Sequence, residues 1–188
     1  MTTADRPLVL LASSRADGHT AELAWAAFPG LADCIVDVAA LRIGYFAYDD
    51  ANAGDDFLGL IERSLDHPLW VLATPLYWYT MSAQAKTFID RLSDLLDARK
   101  DLGRRLRGKA LGVLCTGSDP AQPSHFEEPI FLTAAYLGMR YLGCHYVQRL
   151  EGVPMSAAAR AASRDFGIRL WAQVSRAPAS RGQPDASA

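Results

Sequence analysis

Two apolar patterns alternate along the chain. Leu8 to Ala12, Ile35 to Val38, Leu69 to Ala73, Ala110 to Cys115 and Tyr141 to Val147 are short, mostly apolar runs. Runs of that form suit strands covered on both faces. Between them the apolar residues fall at helical spacing. Leu23, Ala24, Ala27 and Phe28 make one stripe, in a helix that begins near Thr20 and stops at Pro29-Gly30. Phe57, Leu60, Ile61 and Leu65 make a second, opened by Gly54-Asp55-Asp56, whose carboxylates suit the positive end of a helix. Met81, Ala85, Phe88, Ile89, Leu92, Leu95 and Leu96 make a third. A fourth helix is predicted over Glu128 to Leu137 and a last one from Ser156 to Val174. Strands alternating with helices predict an α/β fold, a doubly wound sandwich with a five-stranded parallel sheet and helices on both faces.

The remaining segments are read more plainly. Leu41 to Gly54 is expected to be irregular. Arg99 to Lys109 carries six basic residues against Asp101, and is expected to be a solvated connection at the end of the sheet away from any site. Residues 1–175 are read as a single domain, and 176–188 as a tail of disordered composition.

Chemistry is expected in three loops. In such sheets ligands bind beyond the carboxyl ends of the strands. The first strand leads into Ser13-Ser14-Arg15-Ala16-Asp17-Gly18-His19-Thr20 and then a helix N-terminus, a natural anion site. There Ser13 and Thr20 offer hydroxyls, Arg15 a charged fork, His19 a ring nitrogen, and Gly18 close backbone approach. The third strand is expected to break at Thr74-Pro75-Leu76-Tyr77-Trp78-Tyr79, which gathers three aromatic rings. After the fourth strand, Thr116-Gly117-Ser118 is small enough to let main chain approach a flat ligand. No G-x-G-x-x-G occurs, so a dinucleotide held by its own pyrophosphate motif is not expected.

Thr74, Pro75, Tyr77, Trp78, Ser82, Lys86, Asp90 and Arg91 fit the pattern T-P-x-Y-W followed by S-x-x-x-K-x-x-x-D-R. On these residues the chain resembles the family of NADPH-dependent FMN reductases and NAD(P)H quinone oxidoreductases. The first loop is similar to that family's G-S-x-R-x-x-G-x-T phosphate loop, and departs from it at Ala12 and His19. The resemblance implies a flavodoxin-like sheet of order 2-1-3-4-5, FMN as cofactor, NAD(P)H as donor and a small-molecule electron acceptor. It also implies a homo-oligomer, a dimer or tetramer. The three loops would then hold the phosphate, the ring face and the ring edge of FMN. Hydride would reach the flavin from nicotinamide, with no side chain required as acid or base; Tyr79 and His125 are the weak candidates for supplying a proton. Lys86 and Asp90, one helical turn apart, are expected to form an exposed or subunit-facing ion pair.

Bulk composition narrows the partners. With 19 basic and 21 acidic residues the net charge is −2, which gives no electrostatic case for nucleic acid or an anionic membrane. Three widely spaced cysteines suggest neither a metal site nor a disulfide framework, and no apolar stretch spans a bilayer. A cytoplasmic protein is expected. One rival is a non-enzymatic electron carrier resembling flavodoxin, although such carriers are strongly acidic. A receiver-type signalling domain would need aspartates where this chain has Ala12-Ser13 and Ala73-Thr74.

Overall fold

The computed structural model describes residues 6–49 and 51–175. The sequence-expected tail, 176–188, lies outside the described residues. The strands are β1 (Leu8–Leu11), β2 (Ile35–Asp37), β3 (Leu69–Tyr77), β4 (Thr80–Met81), β5 (Ala110–Gly117) and β6 (Arg140–Gln148). The α-helices are α1 (His19–Ala27), α2 (Phe57–Ser64), α3 (Ala83–Arg91), α4 (Lys100–Arg104), α5 (Glu128–Tyr136) and α6 (Ala157–Ser175). The sheet order is β2-β1-β3-β5-β6, all neighbours parallel, with β4 attached antiparallel to β3. Setting β4 aside, this is the expected flavodoxin-like order.

Alternation along the strands sends side chains to two cores. Leu8 and Leu10 join Trp70, Leu72, Phe88 and Val113 on the side covered by α2, α3 and α5. Val9 and Leu11 join Val71, Leu114, Ala24 and Leu170 on the side covered by α1 and α6. The central strands are buried on both faces, which is why their sequences lack a polar alternation. Trp70 is fully buried and its indole N–H donates to the carbonyl of Ser64 at 2.8 Å, so the large ring leaves no unpaired donor in the core.

Two expectations are corrected. The third strand does not break at Thr74 but continues to Tyr77, then turns through Trp78 and Tyr79 into β4. Pro75 is tolerated because of where its missing N–H would point. Ala73 accepts from the N–H of Ala12 at 2.8 Å, so alternate residues, Pro75 among them, face the β1 side. β1 has ended there, and no ladder bond is lost. Met81 accordingly belongs to β4 and not to the following helix, which is capped by Ser82.

The basic connection is also not simply solvated. It contains α4, whose Leu102 is buried, followed by buried Leu106. The ammonium of Lys109 donates to the carbonyls of Leu65 (2.5 Å) and His67 (3.0 Å), just beyond the end of α2. Burial, with Arg105 nearby, lowers the Lys109 pKa. The remaining elements lie within a few residues of expectation, and Lys86 pairs with Asp90 at 2.6 Å on the surface.

Candidate cofactor site

The carboxyl ends of β1, β3 and β5 open onto one cleft of about 280 Å³. The first loop lines it with Ser13, Arg15, Gly18, His19 and Thr20, β3 with Pro75, Leu76 and Tyr77, and the end of β5 with Thr116, Gly117 and Ser118. Arg149, just beyond β6, completes the lining. The hydroxyls of Thr20 and Thr116 lie 2.8 Å apart in a buried position and tie the first loop to the third. A Cβ on Gly117 would sit 2.7 Å from the Tyr146 hydroxyl and 3.2 Å from the Leu76 Cβ, so glycine is required by close approach. Tyr146 donates to the carbonyl of Asp119 at 2.7 Å, and Gln148 donates to that of Ser118 at 2.8 Å. Both fix the third loop. Burial pushes the Tyr146 phenol up to about 12, so it stays protonated and keeps its donor.

One side of the cleft meets the N-terminus of α1. Gly18 is the N-cap of α1 and provides no side-chain cap, leaving the first N–H groups of the helix without that partner. Its φ of −79° does not demand glycine; a Cβ there would instead crowd the Arg15 Cβ at 3.3 Å. Ser13 is buried, whereas the Arg15 side chain is 62% exposed and 3.9 Å from Glu151. Arg149 is buried, and its Nε has no hydrogen-bond partner among the described residues. The uncapped N–H groups at the start of α1, with Ser13 and Arg149 beside them, suit a phosphate, and Leu76 and Tyr77 suit a flat ring. The residues present therefore fit FMN.

The other side carries the aromatic hairpin. Trp78 (φ 49°) and Tyr79 (φ 67°) both lie in the left-handed region, as primed two-residue hairpin turns require. Such turns usually take Asn-Gly; two aromatics there are strained, and strain of this kind collects at functional sites. Trp78 is 91% exposed and Tyr79 is 59% exposed. They stand at the tip beyond Tyr77 and do not line the cleft itself. Thr74 is fully buried and its hydroxyl is taken up by the Pro75 carbonyl (3.1 Å) and Ser82 (3.3 Å). Ser82 in turn donates to the carbonyl of Ala12 at 2.7 Å and accepts from the N–H of Ala85, locking β1, β3 and α3 together under the hairpin. His125 is exposed and is not among the residues around the cleft.

Sequence reasoning missed two arginines. Arg149 sits outside all three loops; its only signal was a basic residue directly after the last strand. Arg91 was noticed as part of a motif and given no task. It is 2% exposed, pairs with Asp55 and with Asp94 (2.8 Å), donates to the carbonyl of Gly44 (3.1 Å), and lies over the Phe57 ring at 4.7 Å. It fastens the irregular segment before α2 to the end of α3. Among the described residues, no group of three His, Cys, Asp or Glu side chains is placed to hold a metal ion.

Residues 6–150 match the model of the NADPH-dependent FMN reductase family. The chain belongs to that family. YwqN of Bacillus subtilis (strain 168), inferred to be an NAD(P)H-dependent FMN-containing oxidoreductase, is 40% identical over 67 residues, covering 35% of this chain. The chain thus spans 37% of the length of that curated relative. The Trp repressor binding protein of Bacillus subtilis superimposes with a TM-score of 0.70 at 22% identity, over 86% of this chain and 97% of that one. A flavodoxin, WrbA-like protein from Agrobacterium tumefaciens gives a TM-score of 0.61 at 18% identity, over 90% and 98%. Both share the fold.

Proposed function

We propose that the protein is an FMN-dependent NAD(P)H oxidoreductase that passes electrons from a nicotinamide to a quinone, a free flavin or a similar small acceptor. One observation carries this reading: three loops distant in sequence converge on a single cleft that has a helix N-terminus on one side and an exposed aromatic hairpin on the other. Ser13, Gly18, His19 and Thr20 would hold the phosphate, with Arg15 at its edge. Pro75, Leu76 and Tyr77 would back the ring, and Thr116, Gly117 and Ser118 would meet its edge. Thr74 contributes by supporting the hairpin. Bound FMN supplies the redox chemistry, accepting a hydride and releasing electrons to the acceptor. The chain would orient that group, and Trp78 and Tyr79 would stand at the rim of the face open to donor and acceptor. Tyr79, two residues beyond the cleft-lining Tyr77, is the candidate for supplying a proton, and His125 is not among the residues lining the cleft.

We also read residues 1–175 as one domain, since every strand joins one sheet. A cytoplasmic homo-oligomer is the reading we favour. Leu96, beyond the short 3-10 turn that follows α3, and Leu132 and Tyr136 on α5 leave apolar surface exposed, and Cys34, Cys115 and Cys144 are all free thiols. No helix among the described residues is long and apolar enough to cross a membrane. The rival reading, a flavodoxin-like electron carrier, shares the fold and the cofactor. Steady-state oxidation of NADPH with a soluble quinone separates the two: an enzyme turns over many times, and a carrier does not.

A further inference from the structure

Arg149 has a position that the binding loops alone do not explain. Its N–H donates to the carbonyl of Gly117 at 2.7 Å, so the chain is pinned to β5 where it leaves β6. From there the side chain, only 5% exposed, reaches the first turn of α1, where Nη2 donates to Glu22 Oε2 at 2.6 Å. Glu22 is shared, because its other oxygen takes Arg160 from α6. Two guanidiniums thus draw on one carboxylate and leave a local excess of one positive charge. A buried cation in that state carries desolvation that its partner only partly offsets. Arg149 is one of the residues that line the cleft, with Ser13 and Thr20, and its buried Nε has no acceptor among the described residues. Arg15, by contrast, is largely exposed and already faces Glu151.

We propose that Arg149, held in place by Glu22, is the principal cation for the cofactor's phosphate and makes the cleft selective for a phosphate monoester in its dianionic form. This rests on the cleft being an FMN site. The second ionisation of a phosphate monoester falls near pH 6, so the preferred form is the one that prevails at neutral pH. Glu22 does not repel the ligand strongly, because both of its oxygens are already engaged by guanidinium groups.

The test is calorimetric titration of the full apo-chain with FMN, riboflavin and inorganic phosphate, using Arg149→Gln, Arg149→Lys, Arg15→Ala and the double variant Arg149→Gln/Glu22→Gln. The wild type tests the underlying reading by itself: equal affinities for FMN and riboflavin would show that no phosphate is read here, whatever the variants do. Where FMN is favoured, Arg149→Gln is expected to lower FMN affinity about ten- to a hundredfold, as loss of a charged hydrogen-bonding group does. That loss should exceed the one from Arg15→Ala, and riboflavin affinity should change by no more than about twofold. Arg149→Lys should recover part of it, and inorganic phosphate should compete with FMN in the wild type far better than in Arg149→Gln. In a His19→Asn background, which removes the other titratable group facing the phosphate, FMN affinity should climb between about pH 5 and 7 as the phosphate gains its second charge, and adding Arg149→Gln should flatten that climb. If the single variant is unstable, the double variant, which removes the carboxylate together with the guanidinium, should show the same loss of selectivity. Arg149 as a purely structural support would weaken both flavins equally and leave the pH profile unchanged, and either result overturns the proposal.

Discussion

The hydroxyl of Thr20 lies 2.8 Å from that of Thr116, although 96 residues separate them in the chain. One belongs to the first turn of α1 and the other to the end of β5, and both are buried. The contact welds the first loop of the cleft to its third. Replacing either threonine by valine leaves the other hydroxyl buried without this partner, at a cost of about 1–3 kcal/mol. The double valine variant should be less destabilised than the sum of the singles, because no orphan remains. Urea unfolding of the four proteins measures the difference; strict additivity would show that the two hydroxyls do not support each other.

The hairpin tip should trade stability for binding. Changing Trp78-Tyr79 to Asn-Gly puts residues that accept positive φ into the turn, and should stabilise the protein by about 1–3 kcal/mol. It also removes two aromatic rings from the rim, so FMN and riboflavin should both bind more weakly, by similar factors. Thermal unfolding and flavin titration of the same variant read the two effects. A variant that gained no stability would mean that the turn is unstrained.

Much of the fold could be read from the chain because strands buried on both faces, such as β1 and β5, have no competing pattern. The site could be read where its donors were contiguous, as in Ser13 to Thr20. What escaped depended on long-range geometry. Pro75 looked like a strand breaker, since nothing local says that β1 stops short of it. Asp55 looked like an ordinary helix-dipole residue, because its partner Arg91 lies 36 positions further on. Arg149 could be placed only once β6 was known to deliver it beside α1.

Asp55 gives a pH prediction. Burial raises its carboxyl pKa, but hydrogen bonds from Arg91 and from the N–H groups of Phe57 and Gly44 outweigh that and hold it below the usual range. The unfolded value is about 3.9. Stability from this pair is therefore complete above about pH 5 and is lost as pH falls through about 4 toward the lower folded value. At pH 7, Asp55→Asn should cost about 1.5–3 kcal/mol, since Arg91 keeps only Asp94 as a charged partner. Denaturant unfolding should show the gap between wild type and variant narrowing in acid. A gap that stayed constant down to about pH 3 would assign the acid loss to another group.

Kinetics should reflect the absence of a separate pyrophosphate motif. With donor and acceptor using one face in turn, reciprocal plots against NADPH at several quinone concentrations should be parallel. Lines that intersect would require a ternary complex and a nucleotide site elsewhere on the protein.

The central claim is that this cleft binds FMN and that a reduced nicotinamide reduces it there. The most direct measurement is the visible absorption spectrum of the purified protein, taken after addition of FMN and gel filtration and again after anaerobic addition of NADPH. The account predicts that FMN stays with the protein at one per chain and that its yellow colour bleaches on addition of NADPH. A protein that emerges colourless from the column, or whose bound FMN stays fully oxidised under excess NADPH and NADH, would contradict it.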